Sequence, residues 1–366
     1  MGATSLFESV PNFSEGRRTD VVHAIASAAG AAHLLDADSD ADHNRAVLSI
    51  AGDAGHVAAA LISALHVAVV RIDVRGHQGV HPMVGAADVV PIVPLGSTTF
   101  EQSRELALQI GHRIWSELAV PVYFYGRETG RTLADIRAGR AKPDLGGPDH
   151  HPTAGAVCVG ARSALIAYNV MLPAIDARAA RALARALRES AGGLRGVQAL
   201  AFELPGGRTQ LSMNLFRLEE TTPADVEAEL RRRGVQLGEQ QVVGLCPAAA
   251  APPAAAGRVL EARMAAAATR TAASRCRSRG DEEHLALAVR LDREAGNLGA
   301  LGVDQDSLLS AAERSAALIR VLNAAQVLDA ELEAMLSIAA RGLFSALSQK
   351  TRAAYPERSA ALVRLL

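Results

Sequence analysis

The chain has 366 residues and a formal net charge of -1. That length predicts two or three domains with substantial cores, and the near-zero charge argues against nucleic acid or an anionic membrane surface as a partner. Three widely spaced cysteines form no CxxC pair, so we expect neither a disulfide framework nor a cysteine zinc site. No signal peptide and no apolar run long enough to span a bilayer are evident, which predicts a soluble cytoplasmic protein.

Short β-branched runs alternate with helical patterns over the first two-thirds of the chain. The predicted strands cover residues 46–50, 88–94, 120–125, 197–204, 210–218 and 240–245, and the predicted helices cover 55–70, 99–118, 176–190 and 223–233. Such alternation predicts an α/β protein with helices outside the sheets. Because the pattern restarts after Pro173, we predict two subdomains, residues 1–172 and 173–247.

The composition changes after residue 247. Residues 248–257 are almost entirely alanine and proline and indicate a linker, whereas residues 258–366 are helical by pattern. Apolar residues recur at helical spacing at Leu308, Ala312, Leu318, Leu322, Val327 and Leu332. A helical bundle or an oligomerisation arm is the simplest interpretation of this last segment.

Two polar clusters precede the first clear strand. Residues 10–17 place Asn12, Ser14 and Glu15 in one turn, which is either a binding loop or the N-cap of the next helix. Residues 36–42 carry four aspartates at alternate positions, but an EF-hand loop starting at residue 36 would lack its glycine and its final acid. Two interpretations of these aspartates remain open: they form a solvated loop at a strand end, or one of them is a carboxylate that orients an imidazole.

His81 precedes Pro82, and a glycine turn then leads through Asp88 into an apolar strand. Proline fixes its own φ and restricts the residue before it, so the sequence predicts a rigid loop that aims the imidazole. His77 lies four residues earlier, but Gly76, Gly79 and Pro82 argue against a helix here, and we therefore expect no metal site. The sequence also lacks the phosphate-loop, dinucleotide, serine-elbow and zincin motifs, which argues against those enzyme classes.

Taken together, these segments resemble the formiminotransferase family. The resemblance rests on residues 10–17, 35–38, 42–45, 81–91, 121–126, 143–144, 160–162, 165–169, 210–215 and 242–245, which occur in the order that the family has. It implies two α/β subdomains whose sheets enclose a tunnel for tetrahydrofolate, the co-substrate, and for a formimino compound. The implied reaction moves a formimino group from N-formimino-glutamate to N5 of the folate, in a homodimer and without a metal.

The resemblance also implies roles for individual residues. His81 matches the catalytic histidine of the family, and Asp38 matches the carboxylate that works with it. An imidazole that titrates near neutrality could take a proton from N5 and return it to the departing amine, while Asp38 holds its tautomer. The candidates for substrate and folate binding are Asn12, Asn44, Arg45, Met83, Gly85, Asp88, Arg162, Asn169 and Asn214.

Two positions depart from the family pattern. Met83 stands where the family commonly has arginine, and Met171 stands where it usually has asparagine. We therefore hypothesise that the amine is either glutamate or a different one, such as glycine or a glycyl group. The sequence also leaves open whether the transferred group is formimino or formyl, and whether it moves to the folate or from it. The alternative of another class is a catalytically inactive protein that binds folate or a partner. Residues 258–366 lack the Pro-Gly-Gly-Gly-Ser opening of a cyclodeaminase, so we expect a role in assembly or substrate access.

Overall fold

The structure is a computed structural model, and it describes residues 4–126 and 129–366. The chain forms two compact units, an amino-terminal unit (Ser5–Ala164) and a carboxy-terminal unit that consists chiefly of Leu165–Leu366. The sequence predicts the division at residue 172. It falls earlier because the strand Ile166–Met171 pairs with strands of the second unit.

The described residues contain eleven β-strands and twelve α-helices, as the alternating pattern predicts. The strands are β1 (Leu6–Ser9), β2 (Asn12–Phe13), β3 (His33–Asp40), β4 (Arg45–Gly52), β5 (Ala87–Leu95), β6 (Val122–Phe124), β7 (Val157–Ala161), β8 (Ile166–Met171), β9 (Val197–Leu204), β10 (Arg208–Leu215) and β11 (Gln240–Val243). The helices are α1 (Thr19–Ala28), α2 (Ala54–Arg71), α3 (Phe100–Leu118), α4 (Leu133–Arg137), α5 (Ala177–Leu187), α6 (Pro223–Arg232), α7 (Leu260–Arg279), α8 (Glu282–Gly299), α9 (Gln305–Ala324), α10 (Ala330–Ser345), α11 (Gln349–Ala354) and α12 (Pro356–Leu365).

The sheet of the amino-terminal unit has seven strands. Both β1 and β2 lie between β4 and β5, β3 pairs with the outer side of β4, and β7 and β6 extend the sheet beyond β5. The pairs from β3 to β5 are antiparallel, and the pairs among β5, β7 and β6 are parallel. The chain from β1 to β5 is therefore a βαββαβ arrangement with one extra parallel extension.

One face of this sheet is covered by α1, α2 and α3. Helix α2 buries Val57, Leu61 and Leu65, which recur every four residues and so lie on one side of the helix. Among the described helices, α2 is long and apolar enough to cross a membrane by length and composition alone, which corrects the expectation that no such run exists. Its apolar side chains pack in the core beneath the sheet.

The opposite face of the sheet carries polar side chains at the β3–β4 hairpin. Along β4, Ala46 and Leu48 pack in the helix-covered core, so the alternate residues Arg45 and Val47 point to the other face. Asp38 lies directly opposite Val47 in β3 and shares that face. The aspartates at 36–40 thus belong to a strand, and the solvated loop that the sequence left open is limited to the turn at 41–44.

The carboxy-terminal unit repeats the same succession in β8-α5-β9-β10-α6-β11, with a fully antiparallel sheet in the order β11-β8-β10-β9. Its core joins Tyr168 and Leu211 of the sheet to residues of α5 and α6. The predicted linker at 248–257 contains two 3-10 turns, and Ala255 is fully buried in this core. The remaining described segment, α7 to α12, is helical as predicted, and the six apolar residues used to predict it are all buried.

Candidate active site

A β-bulge places a carboxylate at the centre of the polar site. The adjacent residues Asn12 and Phe13 pair with Val89 and Ala87, so Asp88 is the extra residue of strand β5. Its side chain is fully buried. Three donors surround it, and they are Val84 N–H at 2.7 Å from Oδ1, Arg45 Nη1 at 2.8 Å from Oδ2 and Arg137 Nη2 at 2.6 Å from Oδ2.

The charges of this cluster are one carboxylate against two guanidiniums. Burial alone would raise the pKa of Asp88, but Arg45 and Arg137 outweigh it and hold that pKa below its ordinary value. Burial also lowers the pKa of Arg45, which the Asp88 carboxylate opposes. With all three groups ionised, the cluster carries one excess positive charge in surroundings that water screens poorly.

Arg45 connects the carboxylate to the predicted catalytic histidine. Its Nη1 donates to Asp88 and lies 3.2 Å from Nδ1 of His81. Its Nε donates to Asn12 Oδ1 at 3.0 Å, and Asn12 Nδ2 in turn donates to the carbonyl of Val10 at 2.7 Å. The guanidinium is thus held from two sides, and four predicted site residues come together here.

The contacts of His81 define the tautomer of its neutral ring. Nδ1 lies 2.8 Å from the carbonyl oxygen of Pro82, which can only accept a hydrogen bond. This contact is shorter than the one to Arg45 Nη1, which can only donate, and it therefore favours the proton on Nδ1 and the lone pair on Nε2. Arg45 Nη1 then acts on the ring as a neighbouring charge rather than as a hydrogen-bond donor.

The electrostatic surroundings keep His81 neutral. Burial, Arg45 and Arg137 together lower the pKa of His81 to about 3, although Asp88 and the Pro82 carbonyl act in the opposite direction. The expectation of an imidazole that titrates near neutrality is therefore wrong. At neutral pH the ring is in its basic form, and its conjugate acid is strong.

The turn at 41–44 packs against the histidine loop, residues 77–86, which contains His81 and leads into β5. The His43 ring meets the His81 ring edge-on with 6.2 Å between the centroids. Asn44 adopts a left-handed conformation, with φ at 48°, and its Oδ1 accepts from Gly16 N–H at 3.0 Å while Nδ2 donates to the Gln78 carbonyl at 3.1 Å. Asn44 therefore binds backbone groups on both sides of the site, and its contact with the substrate stays a prediction.

The histidine loop packs so closely against neighbouring backbone that a side chain cannot fit at two of its glycines. A Cβ at Gly79 would lie 2.4 Å from the His43 carbonyl oxygen, and a Cβ at Gly85 would lie 2.1 Å from the Ala156 carbonyl oxygen. Ser14 Oγ donates to the Gly85 carbonyl at 2.7 Å. Gly85 thus permits close packing of backbone at the base of the loop.

The first polar turn also has a local structural role. Glu15 Oε1 accepts from the backbone N–H groups of Arg17 and Arg18, both at 2.9 Å, directly before α1. Burial would raise the pKa of Glu15, but these hydrogen bonds and the Arg18 charge lower it. Glu15 thus orders the turn before α1, but the N-cap residue of α1 is Arg18 and has no side-chain cap, so the N-cap interpretation is wrong. Asn12 of the same turn belongs to the Arg45 cluster.

The other predicted residues lie elsewhere. Asp38 is half-buried on β3, on the same face as Arg45, and its role beside His81 stays a prediction. Met83 is half-buried in the histidine loop, and Arg162 follows β7 and donates from Nη1 to the Ser163 carbonyl at 2.9 Å. Asn169 on β8 and Asn214 on β10 belong to the carboxy-terminal unit.

Sequence reasoning missed Arg137 and assigned no role to His43. Arg137 ends α4, a short helix in a region that the sequence pattern left without any element. It is 49 residues away from Asp88 along the chain, and no motif spacing relates the two. His43 lies inside one of the segments that carry the family resemblance, so its place in that segment was the available signal.

Comparisons with known proteins find relatives that match about two-thirds of the chain. The family described as formiminotransferase domain, N-terminal subdomain, matches residues 6–162. The glutamate formimidoyltransferases of Streptococcus pyogenes serotype M1 and Thermoplasma acidophilum are 34% and 38% identical to this chain over 269 residues, which cover 67% and 66% of this chain and 90% and 88% of the relatives. The formimidoyltransferase-cyclodeaminase of Rattus norvegicus is 35% identical over 283 residues, which are 69% of this chain and 52% of the relative.

Proposed function

The chain belongs to the formiminotransferase family, and we propose that it transfers a formimino group from N-formimino-glutamate to N5 of tetrahydrofolate. The observation that carries this proposal is a neutral His81 ring beside Arg45, in the segment that matches the family. His81 is the general acid and base of the proposed reaction, and Asp38 assists it. Tetrahydrofolate enters as a co-substrate.

The proposed step exchanges one carbon–nitrogen bond for another. N5 attacks the carbon of the protonated amidine, the C=N electron pair moves to the imino nitrogen, and a tetrahedral adduct forms with a positive charge on N5. His81 Nε2 takes the N5 proton and delivers it to the glutamate nitrogen. The bond between that nitrogen and the carbon then breaks, glutamate leaves with the electron pair, and the lone pair of the imino nitrogen restores the C=N bond of the folate product. Positioned proton transfer of this kind contributes roughly 10²–10⁴ in rate.

The low pKa of His81 suits the second proton transfer, from the imidazolium to the glutamate nitrogen, better than the first, from N5 to the imidazole. An imidazole whose pKa lies at about 3 is a weak base, but the N5–H of a cationic adduct is acidic enough to give up its proton to one. The resulting imidazolium, next to Arg45, is a strong acid and readily protonates an amine. A substrate carboxylate close to the excess positive charge of the Arg45–Asp88–Arg137 cluster would raise the pKa of His81 and ease the first transfer.

The identity of the amine depends on the anion-binding groups near the histidine. The family arginine is replaced by Met83, two residues after His81, so this side of the loop has lost a cation. The Arg45–Asp88–Arg137 cluster retains one excess positive charge. That remaining charge supports glutamate as the default amine, and the loss at position 83 favours a smaller amine, such as glycine, as the second candidate.

An absorbance assay for the folate product tests the proposal. Wild type and His81→Ala are compared with N-formimino-glutamate, formimino-glycine and N-formyl-glutamate as donors. Turnover of formimino-glutamate that falls by about 10²-fold or more in His81→Ala is the expected result. Turnover of the glycine compound alone would replace glutamate as the amine, and turnover of the formyl compound alone would replace the transferred group. Tetrahydrofolate binding without turnover of any donor would contradict the enzyme proposal and favour a binding protein.

A further inference from the structure

Arg137 contacts the proposed catalytic histidine only through an intermediate carboxylate. It ends α4, its side chain is 17% exposed, and its Nη2 donates to Asp88 Oδ2 at 2.6 Å. Arg45 Nη1 donates to the same oxygen and lies next to His81. Arg137 therefore reaches the reacting group through Asp88 and Arg45.

Arg45 and Arg137 share one oxygen of the Asp88 carboxylate. Oδ1 accepts from Val84 N–H, and Oδ2 accepts from both arginines. Because both arginines donate to the same oxygen, neither guanidinium makes the two parallel hydrogen bonds that an arginine and a carboxylate otherwise favour. Arg45 keeps a single contact to Asp88 and uses Nε for Asn12, and this leaves Nη1 against His81.

A second observation separates Arg137 from an ordinary structural ion pair. Its Nε is buried and, among the described residues, has no hydrogen-bond partner. A buried donor without a partner costs stability, so the guanidinium is held in a position that does not optimise its own hydrogen bonding. Strained or incompletely satisfied groups of this kind cluster at functional sites.

We propose that Arg137 is a positioning residue, which holds the Arg45 guanidinium in its single-contact geometry beside His81 by competing for Asp88. This inference rests on the proposed function for its kinetic consequence. Without Arg137, Oδ2 is released from one of its two cationic donors, and Arg45 turns towards Asp88 and away from the imidazole. The substrate itself need not touch Arg137.

The charged and titratable groups that face His81 come from four elements. The charged groups are Arg45 of β4, Asp88 of β5 and Arg137 of α4, and the titratable ring of His43 in the turn at 41–44 packs against His81. Arg137 and Arg45 both disfavour the imidazolium, whereas Asp88 favours it. Removing the charge at position 137 therefore raises the pKa of His81, and a turn of Arg45 away from the ring raises it further.

The experiment measures the His81 ring and the reaction in the same set of proteins. Ring nitrogen signals are titrated by two-dimensional ¹H–¹⁵N NMR in wild type, Arg137→Gln, Arg137→Lys and the control Arg140→Gln, with His81→Gln used for assignment. Arg140 pairs with Asp135 near the same helix, but it is 62% exposed and has no described contact to Asp88. Steady-state kcat and KM are measured with the donor that wild type accepts.

We expect Arg137→Gln to raise the pKa of His81 and to lower kcat by about tenfold to a hundredfold, with a smaller change in KM. Arg137→Lys restores a cation that can donate to Asp88, so it should retain the low pKa and recover most of kcat. Arg140→Gln should match wild type in both measurements. A purely structural role for Arg137 would lower thermal stability and leave kcat of the folded protein unchanged.

The two measurements distinguish failure of this inference from failure of the proposed function. An unchanged His81 titration in Arg137→Gln, or an equal loss of kcat in Arg140→Gln, would overturn the positioning role. If wild type turns over no donor, the proposed function fails. The His81 titration then tests by itself whether Arg137 holds Arg45 beside the ring. If Arg137→Gln does not fold, a raised His81 pKa in the folded Arg137→Lys protein overturns the inference.

Discussion

The Arg45 guanidinium lies 3.2 Å from Nδ1 of His81 and thus places a permanent cation beside the group that the proposed reaction uses as acid and base. Arginine stays charged throughout the working range of pH, so its effect on the imidazole is constant. Asp88 compensates only in part, because Arg137 shares the same carboxylate oxygen. The site therefore favours a neutral histidine and attracts an anionic substrate at the same time.

The lowered pKa of His81 predicts a loss of stability in mild acid. The pKa is 6.5 ordinarily and about 3 in the folded protein, so between these values the unfolded chain binds more protons. Stability from this residue is fully present above pH 6.5 and is lost as the pH falls towards 3. His81→Gln should therefore gain stability relative to wild type when the pH is lowered from 7 to 4.5. Urea unfolding at both values measures this, and an equal difference at the two pH values would contradict the assigned pKa.

Asp88→Asn should destabilise the amino-terminal unit strongly. The amide keeps the shape of the side chain but leaves two guanidiniums without their shared counter-charge, and breaking a buried pair costs about 3–5 kcal/mol. Glu117→Gln is the matched control, because its pair with Arg113 lies on the exposed surface of α3 and should give no measurable change. Denaturant unfolding of the three proteins tests this, and equal free energies of unfolding for Asp88→Asn and Glu117→Gln would show that the cluster is not a stabilising unit.

Gly16→Ala should disturb the hairpin that carries Arg45. A Cβ there would lie 2.2 Å from the Asp40 carbonyl oxygen and 2.6 Å from the Arg45 nitrogen, so the backbone must shift. Overpacking of this kind costs about 1–3 kcal/mol, and the shift should also reduce activity. At Gly76, which lies before the histidine loop, a Cβ meets nothing within 4 Å, so Gly76→Ala is the control and should fold normally. Comparable melting temperatures for the two variants would argue against close packing at Gly16.

Periodicity predicted the elements whose apolar residues repeat, and tertiary contacts account for what it missed. Helix α2 and strand β5 follow the predicted bounds within one or two residues because their buried faces show directly in the sequence. Strand β3 is not among the predicted strands, because its alternate residues are aspartates that face the polar site rather than a core.

The same distinction applies to the site. Asn12, Arg45, His81 and Asp88 lie in the segments that carry the family resemblance and come together as a cluster, so the resemblance was enough to single them out. The depressed pKa of His81 depends on burial and on Arg137, which joins the cluster from a separate helix. Neither could be predicted from spacing, because the contact closes over 49 residues of intervening chain.

Met83→Arg should shift the preference towards the donor with more negative charge. N-formimino-glutamate carries one more carboxylate than formimino-glycine, and position 83 lies two residues after His81 in a half-buried loop. A charge-assisted hydrogen bond from the new guanidinium contributes about 1.5–3 kcal/mol, which corresponds to roughly tenfold to a hundredfold in kcat/KM for the glutamate compound. The rate with the glycine compound should change much less, since it lacks the additional carboxylate. Met83→Leu keeps the apolar character and should leave the ratio of the two kcat/KM values as in wild type. A ratio that does not change in Met83→Arg would show that residue 83 does not face the donor, and the specificity would then have to come from other residues.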